Sequence, residues 1–273
     1  MFRPRDSHDL RLLGTALTIR PFAIVRWLHD IFGNSVAIAR FEESNTSDTL
    51  IFESAILVKH YPVTLARLDL DADARQYPFN YSPWETPDLA PYAVRQYPDP
   101  GGSISAWARG FLSDNGSADT LRLLNAMNEA IRRDFVYARR DEHGTYPPAR
   151  TLAQKSGTCR DYALLMMEAV RSLGFAARFV TGYLYDEALL GASVLVGGGE
   201  THAWLQVYLP GAGWVEFDPT NAIAAGRNLI RVAVARDPAQ AIPLRGTYFG
   251  SGGDQPSMQV SVTVSAGAVA ASP

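Results

Sequence analysis

Only one of the 273 residues is a cysteine. Cys159 therefore has no partner for an internal disulfide, and a reducing, cytoplasmic setting is the expectation. A zinc site built on several thiolates is excluded on the same ground. The five histidines (His8, His29, His60, His143 and His202) are scattered, with no HExxH-like pair. Neither a metal nor another cofactor is expected. The net charge is −3, and no basic stripe of the kind that tracks a nucleic-acid backbone is present. A polybasic membrane anchor is missing too. No apolar run approaches the ~18–20 residues needed to cross a bilayer, and the opening MFRPRDSHDLRLLG lacks the apolar stretch of a secretory signal. Nucleic acid and membrane are thus not expected partners.

What remains is an ordinary globular balance, 47% hydrophobic and 19% charged, enough for a sizeable core in one large domain or two. Residues 1–80 read as a β-rich domain. Short strands are expected near 10–19, 23–29, 35–41, 49–58 and 62–68. Leu50, Phe52, Ile56 and Val58 fall on one face at the period of two. Gly33-Asn34 between two such runs is a hairpin signal. Closely spaced short strands suggest a small sandwich or barrel. Pro78, Pro83, Pro87, Pro91, Pro98 and Pro100, then Gly101-Gly102, follow. This density disfavours a continuous helix or central strand, so 81–102 reads as a linker. From 103 the period is helical, with helices expected over 103–113, 118–140 and 159–173, the last stopping at Gly174. Strands are expected over 175–185, 201–209, 214–218 and 258–265. Residues 103–273 read as the second domain.

The segment Ser156-Gly157-Thr158-Cys159-Arg160-Asp161 carries the most chemistry. Thr158 and Asp161 have the spacing of a helix cap, which makes Cys159 the first helical residue. Unpaired backbone N–H groups there stabilise a thiolate, and can stabilise an oxyanion. Gly157 leaves room for a substrate carbonyl. A lone cysteine is by itself more often an inert apolar residue. Downstream, His202 begins a strand just after Gly197-Gly198-Gly199. In it His202, Trp204, Gln206 and Tyr208 alternate with Ala203, Leu205, Val207 and Leu209. After the turn Pro210-Gly211-Ala212-Gly213, the next strand presents Trp214, Glu216 and Asp218 on the side of His202. If Tyr208 lies opposite Trp214, Asp218 falls diagonal to His202, at about 7–8 Å between backbones. That is within reach of an imidazole, whose tautomer a carboxylate can fix.

GTCRDYALLMMEAVRSLGFAARFVTGY and THAWLQVYLPGAGWVEFDPTN together resemble the transglutaminase-like fold, a relative of papain in which Cys, His and Asp follow in that order. FRPRDSHDLRL, DIFGNSVAIARF and DLAPYAV resemble the β-rich domain that precedes this core in many bacterial members. The resemblance implies an α+β protein: an N-terminal β-sandwich-like domain, then a papain-like core with the cysteine helix packed on an antiparallel sheet. Members usually carry another strand or two before the FRPR segment, so the first sheet is expected to lack an edge strand.

The chemistry implied is acyl transfer by a Cys159–His202–Asp218 triad through a thioester, on a peptide or glutamine-type amide. Peptidase or amidase action is expected ahead of protein crosslinking. The oxyanion donors implied are the Cys159 N–H and, by analogy, the Tyr137 hydroxyl. Gly157, Thr158 and Trp204 are expected to line the substrate cleft. Two other readings compete. An arylamine N-acetyltransferase uses the same order, but its cysteine follows an Arg-Gly-Gly segment that this chain lacks. A non-catalytic transglutaminase-like interaction module typically loses a triad member, and all three are present here.

Overall fold

A computed structural model describes all residues except 43, 45, 141–143, 186–199, 227, 251–256 and 268–273. His143 and the glycine run 197–199 lie outside the described residues. The N-terminal region contains β1 (Leu10–Arg20), β2 (Ile24–His29), β3 (Ser35–Arg40) and β4 (Ile51–His60). β1 pairs with β4 and β2 with β3, giving two antiparallel two-stranded ribbons. Gly33, at φ 75°, serves the β2–β3 turn. The strand expected at 62–68 is instead a 3₁₀ turn over Leu65–Arg67. Pro62, with no N–H to offer a ladder, begins that stretch.

The second part holds β5 (Gln76–Tyr77), α1 (Thr86–Ala93), α2 (Ser103–Arg109), β6 (Ala118–Asp119) and α3 (Thr120–Asp134). Then come β7 (Val136–Tyr137), α4 (Pro148–Gln154), β8 (Ser156–Gly157) and α5 (Cys159–Ser172). The chain continues with β9 (Ala177–Leu184), β10 (His202–Leu209), β11 (Gly213–Asp218), β12 (Ile223–Ala224) and β13 (Leu229–Ala235). The five-stranded antiparallel sheet runs β12-β11-β10-β9-β13. The strand expected at 258–265 is not present. The alternation of Met258, Val260, Val262 and Val264 is real, but a strand needs a ladder partner, and no ladder reaches it among the described residues.

α5 is the hub. Twelve of its fourteen residues are buried, and Leu164, Leu165, Met166 and Met167 meet Ala203, Leu205, Val207 and Phe217 of the sheet in one core. Burial of each large apolar side chain stabilises by roughly 1.5–3 kcal/mol. The helix also buries charge, and a neighbouring segment satisfies it. Glu168 accepts from the backbone N–H groups of Gln96 and Tyr97 at 3.1 Å and pairs with Arg171 at 2.9 Å. Arg171 in turn donates to the Tyr92 carbonyl at 2.8 Å. The stretch read as a linker is therefore strapped to α5 and contains α1. Pro87 is accommodated because it sits in the first turn, where a backbone N–H lacks an intrahelical acceptor anyway.

Both faces of the sheet are covered. Opposite α5, the N-terminal region closes on β13 and β11. The Asn34 side chain donates to the Val234 carbonyl at 2.7 Å and accepts from the Val234 N–H at 2.9 Å. Arg231 bridges Asp9, at 3.0 Å, and Glu216, at 2.9 Å. Asn34→Ala would leave a buried N–H and C=O of β13 without partners, which costs about 1–3 kcal/mol per orphaned group. The expected outcome in urea unfolding is a midpoint shift of that size with an unchanged slope. An unshifted midpoint would show that the N-terminal region does not depend on this contact.

Candidate active site

α5 begins where the sequence expects it. Thr158 is the N-cap, and Cys159 is the first helical residue, 7% exposed. What holds this turn is the fully buried carboxylate of Asp161. Its Oδ2 accepts from the Thr158 N–H at 2.8 Å and the Thr158 hydroxyl at 2.9 Å. Its Oδ1 accepts from the Tyr146 N–H at 2.7 Å and from Arg140 at 3.0 Å. A second Arg140 nitrogen binds Oδ2. Arg140 also lies 3.9 Å above the Tyr146 ring. The cap spacing points to Asp161, but its pairing with Arg140 is non-local and the sequence carries no signal for it.

Gly157 has a packing reason beyond any role in a cleft. A Cβ there would come within 2.9 Å of the Asp161 Cβ, so a side chain would displace the carboxylate that caps the helix. Gly157 pairs in parallel register with Tyr137. That pairing brings the Tyr137 hydroxyl against Cys159, where it interacts with both the thiol and the backbone N–H. Burial, then the charge and hydrogen bonding of Cys159, push the phenol's pKa upward. Tyr137 stays a neutral proton donor at any physiological pH.

On the sheet, Tyr208 lies opposite Trp214 and Leu205 opposite Phe217, the register that brings Asp218 within reach of His202. Nε2 of His202 is 2.8 Å from Oδ2 of Asp218, and both side chains are fully buried. Asp218 is itself held: its Oδ1 accepts from the Thr220 N–H at 2.9 Å and its Oδ2 from Asn221 Nδ2 at 2.9 Å. These two donors, in the Asp-Pro-Thr-Asn turn, were not anticipated, although an aspartate followed by such residues is a known turn former. The second imidazole nitrogen, Nδ1, is buried with no hydrogen bond of ordinary geometry, while the ring interacts with Cys159. Burial alone would lower the His202 pKa. The Asp218 carboxylate, and then Cys159, more than reverse this and raise it to about 10.

Cys159, His202, Asp218 and Tyr137 thus converge at one point where helix start, strand start and strand end meet. Of the residues expected to line a cleft, Thr158 is 5% exposed and engaged in the cap. Trp204 is a correction. It is fully buried among Val180, Leu184, Leu229 and Val234, behind the imidazole instead of in an open cleft. The alternation that placed it on the side of His202 did not anticipate the N-terminal region covering that side.

The transglutaminase-like superfamily pattern matches residues 106–219, a span holding all four converging residues. The bacterial transglutaminase-like N-terminal region matches residues 1–59. Residues 106–219 thus carry a transglutaminase-like core, and residues 1–59 a bacterial transglutaminase-like N-terminal region. Among its relatives, the uncharacterised protein ML0607 of Mycobacterium leprae is 37% identical over 114 residues, 41% of this chain and 39% of that protein. The protein-glutamine gamma-glutamyltransferase of Pseudomonas aeruginosa is 32% identical over 122 residues, 40% of this chain. That match spans only 18% of the Pseudomonas enzyme. A proposed cysteine protease from Cytophaga hutchinsonii shares the fold, with a TM-score of 0.63 and 19% identity, over 88% of this chain and 76% of that one. The match to the transglutaminase-like superfamily supports a thiol-dependent enzyme in general terms.

The raised His202 pKa has a consequence for stability. A group whose folded pKa lies above its unfolded value near 6.5 stabilises the fold fully below about pH 6.5, and that contribution is lost as pH rises through about 10. Asp218→Asn removes the charge that sustains the imidazolium. The stability gap between parent and Asp218→Asn should therefore narrow steadily from pH 7 to pH 10 in denaturant titrations. A gap independent of pH would mean that His202 is uncharged in the folded protein.

Proposed function

We propose that the chain is an amide hydrolase, a peptidase or amidase, working through a Cys159–His202–Asp218 triad and a thioester. The observation that carries this reading is the 2.8 Å His202–Asp218 contact, with the other ring nitrogen unbonded and the imidazole interacting with the helix-start cysteine. Asp218 holds the ring in one tautomer and stabilises its protonated form. The Cys159 thiolate attacks the amide carbonyl, and the C–N bond breaks as His202 delivers its proton to the departing amine. Water then attacks the thioester, giving its proton to His202 and releasing the acid with Cys159 restored. Negative charge on the tetrahedral oxygen is met by the Cys159 N–H and the Tyr137 hydroxyl, which lie together in the free protein.

A second reading, transfer to an amine instead of water, is favoured by the resemblance to the Pseudomonas gamma-glutamyltransferase. One assay separates the two. Glutamine-containing peptides are incubated with the protein, with and without a labelled primary amine, and the products are resolved by mass spectrometry. Hydrolysis predicts a cut peptide or a glutamate product whose yield the amine does not diminish. Quantitative capture of the acyl group by the amine would replace the hydrolase reading. Cys159→Ala should abolish either product, and turnover surviving that change would remove the thiol mechanism altogether. Tyr137→Phe should lower kcat by about 10²-fold, with KM within about threefold, as expected for loss of one oxyanion donor. An unchanged kcat would leave Tyr137 as a packing residue.

A further inference from the structure

Within the triad reading, Asp218 fixes one edge of the His202 ring, but a single hydrogen bond leaves the ring free to rock about it. The face of the ring is held from elsewhere. Trp204, two residues along β10 and so on the same side of the strand, stacks on the imidazole at a tilt, with centroids 6.0 Å apart and an interplanar angle of 30°. The indole is fully buried. The fold makes room for it at a specific point. Gly182, the β9 partner of His202, leaves a gap that the indole fills: a Cβ on Gly182 would come within 2.6 Å of Trp204 Cη2 and 2.1 Å of the Ile230 carbonyl. Val180, Leu184, Leu229 and Val234 close the far side. The indole N–H interacts with the buried carboxylate of Glu216, which anchors one edge of the ring and leaves its face toward the imidazole. What distinguishes the residue is a broad aromatic plane against the imidazole.

We propose that Trp204 is a positioning residue for the reaction, a rigid aromatic wall that sets the tilt of the His202 imidazole toward Cys159 and favours its charged form.

Physical chemistry supports both halves. A flat ring confined on one face by another ring loses rocking freedom, and a misplacement of about 1 Å in a reacting group can cost about 10²-fold in rate. A cation held within about 6 Å of a tryptophan face is attracted by the negative π-surface. Among the described residues, the charged and titratable groups around His202 are Cys159 on α5, Tyr137 on β7, and Asp218 and Glu216 on β11. Glu216 is buried and paired with Arg231. Trp204 is the group against the flat of the ring, so its removal acts on the imidazolium and not on the Asp218 contact.

The test reads the imidazole directly and does not require turnover, so a failure of the amide-hydrolase reading and a failure of this proposal are distinguishable. The full chain, with ¹⁵N-labelled histidine, is titrated by NMR as the parent, Trp204→Phe and Trp204→Leu, with folding checked by circular dichroism. The His202 pKa should fall in the order Trp, Phe, Leu, while the tautomer set by Asp218 is retained. On any amide the parent turns over, kcat should fall about tenfold to a hundredfold in Trp204→Leu with KM within about twofold, and Trp204→Phe should recover most of the loss. A folded Trp204→Leu with the parent's pKa and kcat overturns the proposal. If the leucine variant does not fold, Trp204→Phe against the parent decides: a lower His202 pKa supports the proposal, and an unchanged one overturns it.

Discussion

The carboxylate of Asp161 is the contact on which the site depends. It is wholly buried, and it is surrounded by donors from three segments: the cap residue Thr158, the backbone of Tyr146 and the guanidinium of Arg140. A buried carboxylate is tolerated only when its oxygens are satisfied this completely. Satisfying them fixes three things together: the pitch of the first turn of α5, the absence of a side chain at Gly157, and the path of the chain from β7 into α4. Because β7 lies beside β8, the same constraint brings Tyr137 to Cys159. Cys159 is thus placed by a carboxylate two residues along the helix.

The second constraint is the sheet. α5 presses on one of its faces with an apolar surface of ordinary composition. The opposite face is unusual in carrying His202, Trp204, Gln206, Glu216 and Asp218 while being almost entirely closed to solvent. The N-terminal region makes that arrangement possible. Asp9 reaches Arg231, Arg231 reaches Glu216, and Asn34 supplies an edge for Val234. Without that cover, a tryptophan and several charged groups would face water, and the back wall of the imidazole would be soft. The N-terminal ribbons therefore belong to the architecture of the site.

What the sequence makes legible is short-range. The α5 start is written in Thr158-x-x-Asp161. The β10–β11 register follows from a compact Pro-Gly-Ala-Gly turn, and with it the approach of His202 to Asp218. What stays illegible is mostly long-range and rests on partners far away in the chain. α1 forms despite its prolines because α5 offers buried charges, Glu168 and Arg171, that the following backbone satisfies. β13 interrupts its alternation at a bulge between Arg231 and Ala233, and Arg231 is inside only because Asp9 and Glu216 meet it. Gly157 looks like an opening for substrate until Asp161 is seen to need the space. Trp204 looks exposed until the N-terminal region is set over it.

These constraints bear on how a charged imidazole survives in a site with no solvent contact. Burying an isolated imidazolium is costly, and desolvation is the largest single influence on His202. Asp218 offsets it, and Asp218 is aimed by Thr220 and Asn221, which donate to its two oxygens. The contact between His202 and Asp218 is therefore in place in the free protein. For the proposed reaction this matters, because assembling such a contact in a dry pocket at the moment of attack would raise the barrier. The strand-end turn after Asp218 is in this sense the counterpart of the cap before Cys159: each fixes the oxygen atoms of a buried carboxylate beside a residue of the proposed triad.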